Sequence, residues 1–229
     1  MHRFALYFAP PRDHPLWRIG CTLLGRDPES GEEIAPPRLD GIAPDRFAAI
    51  TEDPRRYGWH ATLKAPFALA EGTDAAMLEA ALARFAAARA PFPMPPLVLS
   101  DLKGFLAVVP EARSEALWSF AATCVSAFDA FRRPPSEAEL ARRRRGGLDA
   151  VEDANLVTWG YPYVMERFQF HMTLTSRLAE EERRVVAAAL SPLLAGALAV
   201  PLVAAEVSLY AEPSAGAPFR LVRRYPFGG

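Results

Sequence analysis

The chain has 229 residues, 51% of them hydrophobic and 23% charged, a composition that excludes disordered and fibrous classes and suits one globular unit or two small, intimately packed lobes. Lys and Arg number 26 against 27 Asp and Glu, for a formal net charge of -1. No global field therefore draws the chain to nucleic acid or an anionic membrane, and any attraction to a phosphate must be local.

In chain order, alternation in Arg3 to Ala9 marks a strand, with Phe4, Leu6 and Phe8 on one side and Ala5, Tyr7 and Ala9 on the other. Pro10 and Pro11 end it, with Arg12 and Asp13 close behind, so the N-terminus lacks the long apolar core of a signal peptide. Asp13 is placed to cap a helix from His14 to Leu24, and a second helix is expected from Pro44 to Thr51 after a loop over Gly25 to Gly41. The next unit reads as a strand from Trp59 to Phe67, an Ala-rich helix from Thr73 to Arg89, and strands Leu97 to Leu102 and Phe105 to Val109 joined at Lys103-Gly104. Helices are expected over Ser114 to Phe131 and over Ser136 to Arg145, the latter opened by a Ser136/Glu139 capping box. A strand from Phe168 to Thr175, a helix from Ala179 to Leu194, and strands Leu202 to Ala211 and Phe219 to Tyr225 complete the chain. Cys21 and Cys124 fall in helices, lack metal-type spacing, and read as reduced, buried small hydrophobes. The apolar stretch Leu193 to Val207 is broken by Gly196, Pro201 and Glu206 and is too short to span a bilayer, so the expected location is the cytoplasm.

This order contains a repeat: strand with His-x-Thr, long helix, strand, strand, once in each half, with His60 and His171 111 positions apart (171 − 60). The repeat predicts an α+β, bilobal fold in which two pseudo-symmetric antiparallel sheets face a central cleft with helices packed outside. Its lobes are expected near residues 1–110 and 111–229 of a single domain. On a strand, His60, Thr62 and Lys64 share one face, and Trp59, Ala61, Leu63 and Ala65 the apolar other. The second copy sorts likewise, with His171, Thr173 and Thr175 opposite Phe170, Met172 and Leu174.

A row of polar side chains on a central strand needs partners, and a phosphate supplies them. One histidine can take a proton from an attacking hydroxyl or water while the other donates to the leaving oxygen. Each threonine hydroxyl can donate to a non-bridging oxygen, and neither a metal nor a cofactor is required. The motifs HATLKAPF and HMTLTSRL resemble those of the two-histidine phosphoesterase superfamily, which includes 2'-5' RNA ligase-like proteins and cyclic phosphodiesterases. Across nearly the whole chain, including YFAPPRDHPLW, RRYGWHATLKAPF, WGYPYV and FQFHMTLT, the sequence is similar to a bacterial family of phosphonate-metabolism proteins within that superfamily. The resemblance implies a hydrolase acting on a cyclic or small phosphodiester, with His60, Thr62, His171 and Thr173 as the catalytic set.

Around that set, Lys64 and Thr175 are placed as substrate-binding by their shared face, with a solvated rim as the alternative for Lys64. Tyr7 is placed in the cleft by its side of the first strand, and Tyr57 and Tyr163 at its mouth, as walls or as loop packing. Arg142 to Arg145 form the only dense basic run, either a solvated face or a lid that attracts an anion. The expected partner is a small phosphorylated substrate, a cyclic nucleotide or ribose cyclic phosphate. The competing functions are a phosphate-binding module without turnover and RNA end-processing; the latter is disfavoured by the near-zero net charge and by the lack of an interleaved basic and aromatic stretch.

Overall fold

The computed structural model describes residues 1–229. In chain order its elements are β1 (Arg3–Phe8), α1 (Pro15–Leu24), α2 (Pro44–Tyr57), β2 (Ala61–Phe67), α3 (Ala75–Ala87), β3 (Phe92–Pro93), β4 (Leu97–Leu102) and β5 (Phe105–Pro110). There follow α4 (Glu115–Ala127), α5 (Glu137–Arg144), α6 (Ala150–Trp159), β6 (Met172–Thr173), α7 (Glu180–Leu198), β7 (Val203–Ala204), β8 (Glu206–Glu212) and β9 (Arg220–Pro226). The fold is α+β with antiparallel sheets. Seven strands are joined in the order β4-β5-β6-β2-β1-β8-β9, and β3 pairs with β7 apart from them.

The large sheet is two halves meeting at one residue pair, Ala61↔Met172, between β2 and β6. Strand β1 sits between β2 and β8 and is buried on both faces. The halves do not follow the expected division near residue 110: β8 and β9 join β1 and β2, while β6 joins β4 and β5. One half is therefore built from both ends of the chain and the other from its middle, and one core cluster of 49 buried residues runs beneath them.

The helices form where caps and apolar spacing agree. Ser114, Ser136, Asp74 and Asp149 each accept a backbone N–H of the first turn, the geometry by which such residues start helices. In α1 the cap is His14, whose Nδ1 accepts from the N–H of Leu16, and not Asp13. Helix α6 was not anticipated, although Asp149 and Glu152 form a capping box; only Asn155 and Leu156 of its residues are buried, so it carries no apolar stripe to read. The strand expected from Phe168 to Thr175 pairs only at Met172 and Thr173, and that expected from Leu202 to Ala211 breaks into β7 and β8. Cys21 and Cys124 are buried and unpaired. No helix is long and apolar enough to cross a membrane.

Helix α2 runs past the expected end at Thr51 to Tyr57, with Pro54 inside it. Proline has no N–H to give the carbonyl four residues back, which here is that of Ile50. That carbonyl accepts instead from the backbone N–H of Ser176, at 2.7 Å. The defect in the helix thus ties the approach to the first motif to the loop that follows the second.

Candidate active site

Both histidines are set by the same local device. His60 Nδ1 lies 2.8 Å from the carbonyl of Gly58, and His171 Nδ1 lies 2.8 Å from the carbonyl of Gln169, in each case two residues earlier. A carbonyl only accepts, so each Nδ1 carries the proton and each neutral ring presents Nε2 as an acceptor. Gly58 makes the first of these possible. Its φ of +79° turns the chain out of α2, and a Cβ there would come within 2.7 Å of Pro28. The residue before each histidine anchors it from the core side. Trp59 and Phe170 are both fully buried, with Trp59 lying over Gly20 of α1 so closely that a Cβ on that glycine would stand 2.3 Å from the indole.

The Ala61↔Met172 pair joins the middle residues of the two His-x-Thr motifs. In an antiparallel pair centred there, His60 runs beside Thr173 and Thr62 beside His171. The motifs therefore lie next to each other on one face of a joined sheet and not on two sheets opposed across a gap. Over that face lies a cleft of about 450 Å³ lined by Tyr7, Tyr57, His60, Thr62, Thr173 and Thr175, among others, within the ~300–1,000 Å³ range of small-ligand sites. His171 adjoins that lining, its ring meeting Phe105, a wall residue, edge-on with centroids 5.8 Å apart.

The two rings differ in their surroundings. Tyr7 stacks on His60 with centroids 3.8 Å apart and planes 23° apart, and Thr62 Oγ1 is 3.3 Å from His60 Nε2. Burial pushes the His60 pKa down to about 4, the Gly58 bond works against this, and the charge of His171 adds to it. Burial lowers the His171 pKa as well, opposed by its bond to Gln169. Both imidazoles are thus neutral near pH 7 in the unliganded protein.

Several expected assignments change. Lys64 is absent from the cleft: it is 2% exposed, with Nζ donating to the carbonyl of Val125 at 2.9 Å and to Asp129 at 3.1 Å. The cause is a β-bulge. Leu6 pairs with Lys64 but Tyr7 with Thr62, so one step on β1 spans two on β2. Thr62 follows Tyr7 to the cleft and Lys64 follows Leu6 to the core, while Ala65, expected in the core, lines the cleft with Pro66. Thr175 lines the cleft, but its Oγ1 accepts from the N–H of Leu106 at 3.0 Å, beside the bond from the N–H of Leu174 to the carbonyl of Leu106 at 2.9 Å, so its hydroxyl serves the joint between β5 and the end of the motif. Tyr163 is 45% exposed and is not part of the wall; Tyr161, its edge-on neighbour at 5.6 Å, takes the position expected of it.

Sequence reasoning also missed three wall residues that come from distant segments: Arg3, Phe105 and Arg177. Arg3 carried no motif signal, and it is held by a bond to buried Glu212, at 2.6 Å. Of the basic run, only Arg143 reaches the cleft, with its guanidinium 5.1 Å from the centre of the Tyr161 ring. Nowhere in the chain are three or more His, Cys, Asp or Glu side chains gathered so as to hold a metal ion.

The chain is similar, at 40% identity over 233 residues, to the ribose 1,5-bisphosphate phosphokinase PhnN of Janthinobacterium sp. (strain Marseille), covering 100% of this chain and 51% of that protein. A PhnN of the same name from Laribacter hongkongensis (strain HLHK9) is 39% identical over 222 residues, covering 96% of this chain and 51% of its own length. The chain thus spans about half the length of the curated relatives it matches. Among solved structures, E. coli LigT complexed with 3'-AMP aligns at a TM-score of 0.42 and 15% identity, over 99% of this chain and 98% of that one. Residues 62–220, which include Thr62 and the whole of the second motif, match the family described as protein of unknown function DUF1045, and the chain belongs to that family.

Proposed function

We propose that this protein is a two-histidine phosphoesterase that opens a cyclic phosphodiester, or cleaves a small one, of a sugar or nucleotide phosphate without a metal. The observation that carries this is the antiparallel pairing of the two motifs at Ala61↔Met172, with each Nδ1 committed to a backbone carbonyl. Two imidazoles held in one tautomer beside two threonine hydroxyls are the groups an in-line displacement at phosphorus needs.

In this mechanism His60, the ring with the pKa pushed down to about 4, takes a proton from water at Nε2 as the water oxygen bonds to phosphorus. The bond from phosphorus to the leaving ring oxygen breaks, and Nε2–H of His171 gives that oxygen its proton. An anionic phosphate in the cleft raises the pKa of a nearby imidazole, which supplies the protonated His171 that the unliganded site lacks. Thr62 and Thr173 donate to the non-bridging oxygens, where charge develops.

The relatives' name supports a ribosyl phosphate as the substrate class. Hydrolysis of a ribose 1,2-cyclic phosphate that expels O2 leaves a 1-phosphomonoester, and with a phosphate already on C5 the product is the ribose 1,5-bisphosphate of that name. The test is product formation from ribose 1,2-cyclic phosphates and from nucleoside 2',3'-cyclic phosphates, in the presence of chelator. Turnover is expected. Thermal stabilisation by these compounds with no product would replace this reading with that of a phosphate-binding module.

A further inference from the structure

Three arginines line the cleft, from three separate segments: Arg3 on β1, Arg143 near the end of α5, and Arg177 between β6 and α7. Arg3 is matched by Glu212. Neither Arg143 nor Arg177 takes part in any ion pair of the structure, and the one carboxylate in the lining, Asp53, pairs with neither. Two guanidinium groups without a carboxylate partner leave the wall of the cleft positively charged and open to an anion.

Both are positioned by their surroundings with donors left free. Helix α5 is fixed by its capping box at Ser136 and by Arg144, which grips Asp153 through two nitrogens at 2.6 and 3.1 Å, so Arg143 is carried on an anchored turn with its guanidinium over Tyr161. Arg177 spends one nitrogen on the carbonyl of Lys103, at 3.0 Å. Its flanking residues are tied as well, Ser176 to Ile50 and Leu178 to Gly104 through backbone bonds of 2.7 and 2.8 Å. An arginine fork needs two parallel N–H groups to grip a phosphate, and each side chain retains them.

We infer that the cleft contains a second anion subsite, distinct from the two histidines, in which Arg143 and Arg177 bind a terminal phosphomonoester of the same substrate whose other phosphate is the one cleaved. This rests on the phosphoesterase reading and narrows it: the substrate is a small cyclic phosphate that bears a second, non-reacting phosphate. The subsite is a specificity device, since an arginine pair that gains a dianion discriminates against the analogue lacking it.

The experiment compares kcat/KM for ribose 1,2-cyclic phosphate with and without a 5-phosphate, and for adenosine 2',3'-cyclic phosphate with and without a 5'-phosphate. It uses wild type, Arg143→Ala, Arg177→Ala and, as a control for general charge, Arg142→Ala, which alters an exposed arginine outside the cleft. The terminal phosphate is expected to raise wild-type kcat/KM by about tenfold to a hundredfold, the range of one or two charged hydrogen bonds. Arg143→Ala and Arg177→Ala each remove much of that gain, so their losses are larger by about tenfold on the substrates with the terminal phosphate than on those without it, while Arg142→Ala keeps the gain. The pair of substrates that shows the gain tells a sugar from a nucleotide. Equal kcat/KM with and without the terminal phosphate, or equal losses on both kinds of substrate, would overturn the subsite. Calorimetric titration of ribose 5-phosphate separates the two claims. If nothing is turned over, the esterase reading fails, but binding that weakens about tenfold in Arg143→Ala and Arg177→Ala and not in Arg142→Ala still establishes the subsite, and binding unchanged in all three removes it.

Discussion

The two His-x-Thr copies carry the same short pattern on unlike backbones. Around His60 the pattern lies at the head of β2, a strand of seven residues paired along β1, while around His171 it lies on β6, where only two residues pair. What both copies share is the carbonyl two residues before each histidine and the buried aromatic between them. The duplication is therefore preserved where it sets the imidazoles and relaxed elsewhere. The surroundings differ as well, since His60 is covered by Tyr7 and His171 meets only the edge of Phe105.

If the copies are equivalent partners in proton transfer, His60→Ala and His171→Ala should each cost about 10²–10⁴ in kcat/KM on a cyclic phosphate, the usual share of one general acid or base. Near-full activity in either variant would break the equivalence and the two-histidine mechanism with it.

The next difference is in packing. Only the first copy leans on a glycine, Gly20, whose replacement by Ala would drive a methyl into the Trp59 indole. Trp59 is fully buried and cannot step aside into solvent. Gly20→Ala should lower stability in urea by about 1–3 kcal/mol, as overpacking of a filled core does. A variant as stable as wild type would show that α1 does not brace this motif.

Protonation separates the folded and unfolded chains. His60, with its pKa pushed down from 6.5 to about 4, stays neutral in the folded protein where the unfolded chain takes up a proton. The folded state therefore loses stability as pH falls through that window, by up to about 1.4 kcal/mol per pH unit for a single buried group, with the contribution intact above it. In His60→Gln the dependence of unfolding free energy on pH between 6.5 and 4 should be shallower than in wild type. The same slope in both would mean that His60 is not kept neutral by burial.

Much of this was legible in the residues because local signals agreed. Alternation in Arg3 to Ala9, the alanines of α3 and the Ser136/Glu139 box all specify the elements that form. The repeat likewise pointed to His60, Thr62 and Thr173 sharing one region, with His171 beside it, and alternation on the first strand added Tyr7. What was not legible depends on pairing over long distances. Nothing in the C-terminal strands says that they join β1, and nothing near Arg3 or Arg177 says that they share a wall with Tyr57. The bulge in β2 is the sharpest case, because strict alternation is the one rule it breaks.

Lys64 offers the smallest effect on chemistry and the clearest separation of the copies. Strict alternation would set it in the cleft, as Thr175 is set in the other motif. The bulge sends it instead to the end of α4, where Val125 contributes one of the carbonyls that a helix C-terminus leaves without an N–H partner. A cation there meets the negative end of the helix dipole, and Asp129, held also by Arg132, meets the ammonium from the following turn. Lys64→Met keeps the buried stem and removes the charge, so it should lower stability by about 1–3 kcal/mol through the unpaired carbonyl and carboxylate. Its kcat/KM on a cyclic phosphate, measured where the variant is fully folded, should stay within about twofold of wild type, as for sites that do not touch. A loss of a hundredfold would put the ammonium back at the phosphate and the bulge in question; a stable, fully active Lys64→Met would instead show that α4 does not need its capping cation.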